Sequence, residues 1–181
     1  MTRLITTFVG ACTLLLGACA GMPGSPMVPI DNAALPAAVR VPAGEMQKMW
    51  TVGSGEITYE CREKKDMAGQ HEWAFVGPVA SLKDNAGKVV GRYYGGPTWE
   101  SLDGSKVTAK QVAVAPQPAG NIPLQLVKAE PAMGMGSMQG VTYIQRLNTS
   151  GGVAPAAACA AGNVGAKQQV AYQADYVFYG R

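Results

Sequence analysis

Apolar and polar residues alternate along most of the chain beyond residue 55. Ile57, Tyr59 and Cys61 fall on one side of an extended segment, and Thr58, Glu60 and Arg62 on the other. That is the pattern of a half-buried strand. A charged turn, Glu63 to Gln70, leads to a second strand at His71 to Val76 with Trp73 and Phe75 on one face, so the pair predicts a β-hairpin. Ala80 to Val89 reads as a short edge piece and a turn at Asp84 to Gly87. Val89 to Tyr94 and Thr98 to Leu102 flank a Gly95-Gly96-Pro97 corner. The turn Asp103-Gly104-Ser105 launches a strand from Lys106 to Val114, whose parity slips after Ala109 and so predicts a bulge. Ile122 to Ala129 and Val141 to Asn148 are further strands. The last is the clearest, with Val170, Tyr172, Ala174, Tyr176 and Phe178 alternating with Ala171, Gln173, Asp175 and Val177. Between strands, Ala132 to Gly140 reads as a Gly- and Met-rich loop, and Ala156 to Ala161 as one helical turn around Cys159.

No amphipathic helix of useful length interrupts this series. The expected fold is all-β, a single sandwich or barrel of about seven to nine short, mostly antiparallel strands occupying residues 45–181.

The first residues follow another pattern. Arg3 precedes an apolar run from Ile5 to Leu16, too short to span a bilayer and of the length of an export-signal core. It closes with Leu16-Gly17-Ala18-Cys19, which resembles the lipobox of bacterial lipoproteins. The resemblance implies cleavage after residue 18 and lipidation of Cys19, with Ala20 beside it favouring the outer membrane, facing the periplasm or the cell surface. Residues 19–44 carry Pro23, Pro26, Pro29, Pro36 and Pro42 among few bulky side chains and read as a tether, with Val39, Val41 and Pro42 able to dock on the domain.

Composition mainly excludes. A formal charge of +3 over 181 residues, with basic residues scattered, is too weak a footprint for nucleic acid. A single histidine, His71 beside Gln70 and Glu72, removes most triads and zinc sites. No cofactor is expected. Export leaves Cys61 and Cys159 in a compartment where disulfides persist, and Cys61 has inward parity; a bond between them is the expectation.

Three sets of residues carry candidate chemistry. Tyr94, Trp99, Glu100 and Asp103 crowd aromatic surface and carboxylates into one stretch. Such a set suits stacking on a sugar ring, or a glycosidase carboxylate pair. Against this, Trp99 also suits the core, and Asp103 suits side-chain capping of its own turn. Arg146 shares a strand face with Thr142, Ile144 and Asn148. If that face is inward, Arg146 needs Glu60, Glu100 or Asp175 as a partner, or else forms an anion site. Finally, Met133, Met135 and Met138 supply thioethers of the kind that bind Cu(I), or else fill gaps in a loop.

Taken in order, Tyr59-Glu60-Cys61, Trp73-Ala74-Phe75, Gly96-Pro97-Thr98-Trp99-Glu100, Asp103-Gly104-Ser105, Val141 to Gly152 and Tyr172 to Tyr179 resemble the domain of unknown function 3455 of bacteria and fungi. The likeness runs over about Leu35 to Tyr179 and implies no established activity. The name malate dehydrogenase attached to some members finds no dinucleotide fold here. Many members have His where this chain has Tyr93, so the resemblance implies no metal or acid–base role at that position. The expected protein is a lipid-anchored, non-enzymatic module of the cell envelope that binds a small ligand, glycan or protein partner. A polysaccharide hydrolase using Glu100 and Asp103 and a Cu(I)-binding protein are the alternatives.

Overall fold

The computed structural model describes residues 29–181. Cys19 and the export signal lie outside them. Eight antiparallel strands follow one another around a single closed barrel: β1 Met46–Glu63, β2 His71–Lys83, β3 Val89–Tyr94, β4 Thr98–Ser101, β5 Lys106–Ala115, β6 Leu124–Ala129, β7 Tyr143–Gly151 and β8 Lys167–Gly180. Each strand pairs with its sequence neighbours, and the ring closes because the 18-residue β1 also pairs with β8, from Met46 opposite Gly180 to Glu60 opposite Lys167. Closure leaves no open sheet edge.

The alternation read from the sequence is the inside–outside alternation of this barrel. Ile57, Tyr59, Tyr93, Trp99, Val107, Ile144, Tyr172, Tyr176 and Phe178 share the interior cluster. Eight strands enclose a space that side chains fill or that holds one small ligand. Large rings fill its middle. Tyr93 stacks on Trp99 with centroids 4.7 Å apart, and both meet the ring of Tyr176. Glycine at position 53 makes room, since a Cβ there would lie 2.4 Å from the Tyr176 ring.

Two strands depart from the expectation. The pieces either side of Gly77-Pro78 are one continuous β2, with Val79, Ala80 and Leu82 carrying the strand on to Lys83. The expected bulge in β5 falls between Gln111 and Ala113, a little later than the parity slip. The turn near Cys159 is a single 3₁₀ turn at Ala161–Asn163.

A second apolar cluster lies outside the barrel. Val39 and Val41 are buried against Leu124, Leu126, Leu147, Val177 and Tyr179. Gln145 is fully buried at this contact. Its amide donates to the Val39 carbonyl at 2.6 Å and its oxygen accepts from the Tyr179 hydroxyl at 2.7 Å. The Asn32 side chain clasps both backbone groups of Val41. The described part of the proline-rich stretch is therefore held on the barrel wall by apolar burial and specific hydrogen bonds.

Cys61 and Cys159 are joined in a disulfide with Cα atoms 5.4 Å apart. It fastens the segment between β7 and β8 to β1, and Trp73 Nε1 holds the same segment through the Ala157 carbonyl at 2.7 Å.

Candidate functional site

The aromatic and acidic residues around the Gly95-Gly96-Pro97 corner go to different places. Trp99, on β4, points inward and is 1% exposed, so it has no face to offer a sugar. Glu100, the next residue, points outward, where its Oε2 accepts from the Tyr94 hydroxyl at 2.6 Å and its Oε1 from Arg92 at 2.9 Å. The Arg92 guanidinium also sits 5.3 Å from the centre of the Tyr94 ring. These partners, the Tyr94 hydroxyl foremost and then Arg92, hold the Glu100 carboxyl below its ordinary pKa.

Asp103 is committed elsewhere. Its Oδ1 accepts the N–H and hydroxyl of Ser105, at 2.9 and 2.5 Å, and its Oδ2 accepts both donors of Ser137. The hydroxyl of Ser105, followed by that of Ser137, drives its pKa well below the usual carboxylate range. A glycosidase requires one carboxylic acid with a raised pKa to protonate the leaving group. Both acids here are held as anions with their oxygens in structural bonds, an arrangement without a proton donor.

The methionines diverge as well. Met138 is 1% exposed in the barrel interior, whereas Met135 is 84% exposed and Met133 46%. Their thioethers do not share one environment. Among the described residues no cluster of three or more His, Cys, Asp or Glu is arranged to hold a metal ion.

Arg146 and Asn148 separate at an irregularity in β7. The pairing with β8 shifts between Leu147 and Ser150, and Asn148 takes a left-handed φ of 46°, a conformation that Asn tolerates better than most residues. Its exposed side chain donates to Asp175 at 2.7 Å on the outer surface. Arg146, before the shift, keeps the inward parity of Ile144.

None of the three carboxylates expected as partners reaches Arg146. Glu60 pairs with Arg62 and Lys167, Glu100 with Arg92, and Asp175 with Asn148. The guanidinium instead donates from Nε and Nη2 to one backbone oxygen, that of Pro123, at 3.2 and 2.9 Å. Among the described residues it has no ion pair. It is half-buried, and it lines a cavity of about 170 Å³ with Phe75, Pro78, Tyr93, Gln111, Gln125 and Val127, beneath Gly96 and Pro97. Among the described residues no carboxylate lines this cavity.

Tyrosines surround the same charge. Burial raises the pKa of Tyr59, Tyr93 and Tyr176, while the positive field of Arg146 pulls each back in part. Tyr172 follows the same pattern, with its hydroxyl 3.3 Å from that of Tyr176. All four remain protonated at neutral pH. The remaining donors of an inward-facing guanidinium among neutral hydroxyls are of a kind that suits a carboxylate or phosphate oxygen. The reading of the sequence named Arg146 but not this setting. Tyr93, Gln111 and Gln125 are scattered in sequence and meet only when the barrel closes.

A family model described as "Protein of unknown function (DUF3455)" matches residues 42–180. No curated protein and no solved structure matches the chain.

Proposed function

The chain belongs to the DUF3455 family, and as a member of it we propose that it is a non-enzymatic module of the cell envelope, lipid-anchored at Cys19, that binds a small anionic ligand in the Arg146 cavity. The lipobox-like Leu16-Gly17-Ala18-Cys19 supports the anchor, with the outer membrane as its site.

One observation carries the ligand reading. Arg146 points into the barrel, lines a cavity free of carboxylates, and has no ion pair among the described residues. A partly buried charge normally acquires an opposite charge or several hydrogen bonds. Here one carbonyl does that work, which leaves the guanidinium able to take an anion. The cavity of about 170 Å³ suits a ligand of about benzene size carrying one carboxylate or phosphate. Neither the Glu100–Asp103 hydrolase nor the Met-loop copper site gains a comparable observation.

The test is calorimetric titration of the purified protein with benzoate and inorganic phosphate, repeated on Arg146→Gln. Binding of either anion by the wild type, weakened about tenfold or more in the variant, supports the reading. An absence of binding by both anions, or equal affinity in Arg146→Gln, overturns it. Mass spectrometry of the native protein reports acylation at Cys19 independently.

A further inference from the structure

The mouth of the Arg146 cavity has two unlike sides. Phe75 and Pro78 of β2 and Pro97 of the β3–β4 corner make one side apolar. Phe75 is 58% exposed there, with its ring edge-on to Tyr59 and the centroids 6.1 Å apart. The other side is polar. Gln111 follows the inward Val107 and Ala109 on β5, and Gln125 precedes the inward Val127 on β6. The β5 bulge falls directly after Gln111, and such bulges re-aim side chains beside sites. Gln125 stands opposite Arg146 in the β6–β7 register, which puts the two side chains next to each other on one face. The Gln125 amide donates to the Gln111 oxygen at 2.7 Å. That single bond leaves an amide oxygen on one glutamine and an amide NH₂ on the other, whichever of the two donates.

We propose that Gln111 and Gln125 set the specificity of this cavity, selecting aromatic carboxylates that carry a ring hydroxyl at the meta or para position. The proposal rests on the reading of Arg146 as an anion site and narrows its ligand class. Among the described residues Arg146 is the only charged one lining the cavity, so it fixes the carboxylate and with it one end of the guest. A hydroxyl both donates and accepts, which matches the oxygen and the NH₂ that the glutamine pair presents beside the guanidinium. The ring between the two groups packs on Phe75, Pro78 and Pro97. An unsubstituted ring covers the same amides with carbon and strips them of water, a cost that the hydroxyl removes. An ortho hydroxyl bonds to the carboxylate of its own molecule and has less to give the glutamines. Size agrees, because a cavity of about 150 Å³ takes benzene and this one, at about 170 Å³, is open at its mouth to the substituent.

The experiment is calorimetric titration of the wild-type protein with benzoate and with ortho-, meta- and para-hydroxybenzoate. The meta or the para isomer is expected to bind at least about threefold more tightly than benzoate, the gain of one net hydrogen bond. The ortho isomer is expected to stay within about twofold of benzoate. In Gln111→Leu and Gln125→Leu the advantage of the hydroxyl should fall below about twofold, while benzoate itself binds within about threefold of wild type. A general loosening of the barrel would weaken all four acids together and leave their ratios unchanged. Benzoate binding without a gain for the meta or the para isomer, or a gain that survives in both variants, overturns the proposal and leaves the anion reading standing. Failure of all four acids to bind overturns it as well, and titration with inorganic phosphate then tells whether the anion reading falls with it. Should the variants fail to fold, the contrast between isomers on the wild type decides alone.

Discussion

Ser137 donates twice to a single oxygen of Asp103, from its N–H at 2.8 Å and from its hydroxyl. With the two bonds from Ser105 on the other oxygen, Asp103 locks the turn between β4 and β5 to the Met-rich loop. The Ser105 hydroxyl then donates no further but accepts the N–H of Met138 at 3.1 Å, which aims that side chain inward. These bonds need the carboxylate ionised, and they hold its pKa below the unfolded value. Their contribution to stability is therefore complete above the unfolded pKa and lost as pH falls through the folded one. Asp103→Asn should melt several degrees below wild type at neutral pH. The gap should be flat from about pH 8 to 5 and shrink below about pH 4, where unfolded aspartate takes its proton. Melting curves of both proteins across that range check it, and a gap unchanged at low pH counts against it.

Gly136 lies against the same carboxylate. Its φ is 150°, and a Cβ there would come within 2.4 Å of the Asp103 carboxyl carbon. Gly136→Ala should cost about 1–3 kcal/mol from backbone strain and displacement of Asp103. The two substitutions should couple, with Gly136→Ala costing less in an Asp103→Ala background. Chemical denaturation of the four proteins measures the coupling, and additivity would show the clash to be relieved elsewhere.

The strands were legible where one face is dry and the other wet, as in Ile57-Tyr59-Cys61 and Tyr172 to Phe178. Gln145 was not legible as a buried residue, because its burial on the outer wall depends on Val39 and Asn32, more than 100 residues away. Gly77-Pro78 reads as a break, since proline lacks an N–H. The strand runs through because the pairing of β1 and β2 is already irregular beside it, between Thr58 and Tyr59. Barrel rather than sandwich was beyond local pattern, because closure is a property of the β1–β8 register. For the site, alternation put Arg146 on an inward face, but whether it meets a carboxylate or the Pro123 carbonyl is set by distant strands.

The Cys61–Cys159 bond spans a sequence separation of 98 and ties the segment between β7 and β8 to the barrel. Reduction, or Cys159→Ser, should lower stability by up to about 4–5 kcal/mol in the chain-entropy account, on the order of 10 °C in Tm. Because the barrel closes through β1–β8 pairing without this bond, the variant should remain folded. Amide exchange should rise first between residues 152 and 166 and leave β1 and β8 protected. Loss of protection throughout at 25 °C would show that the disulfide holds the whole barrel.

Trp99 provides the sharpest test of the interior. It stacks on Tyr93 and meets Tyr176 edge-on, yet its indole N–H is buried with no partner among the described residues. Trp99→Phe keeps an aromatic ring and deletes the orphaned donor, so the volume it loses is partly offset. It should cost under about 2 kcal/mol, whereas Trp99→Ala should cost about 3–5 kcal/mol. The consequence extends to the Arg146 cavity, because Tyr93 lies between that cavity and Trp99. Trp99→Ala should free the Tyr93 ring and weaken benzoate binding about tenfold, while Trp99→Phe preserves it within about threefold. Denaturant melts and calorimetric titration of both variants decide this. Equal losses in both would mean that the indole makes a bond the static packing does not reveal.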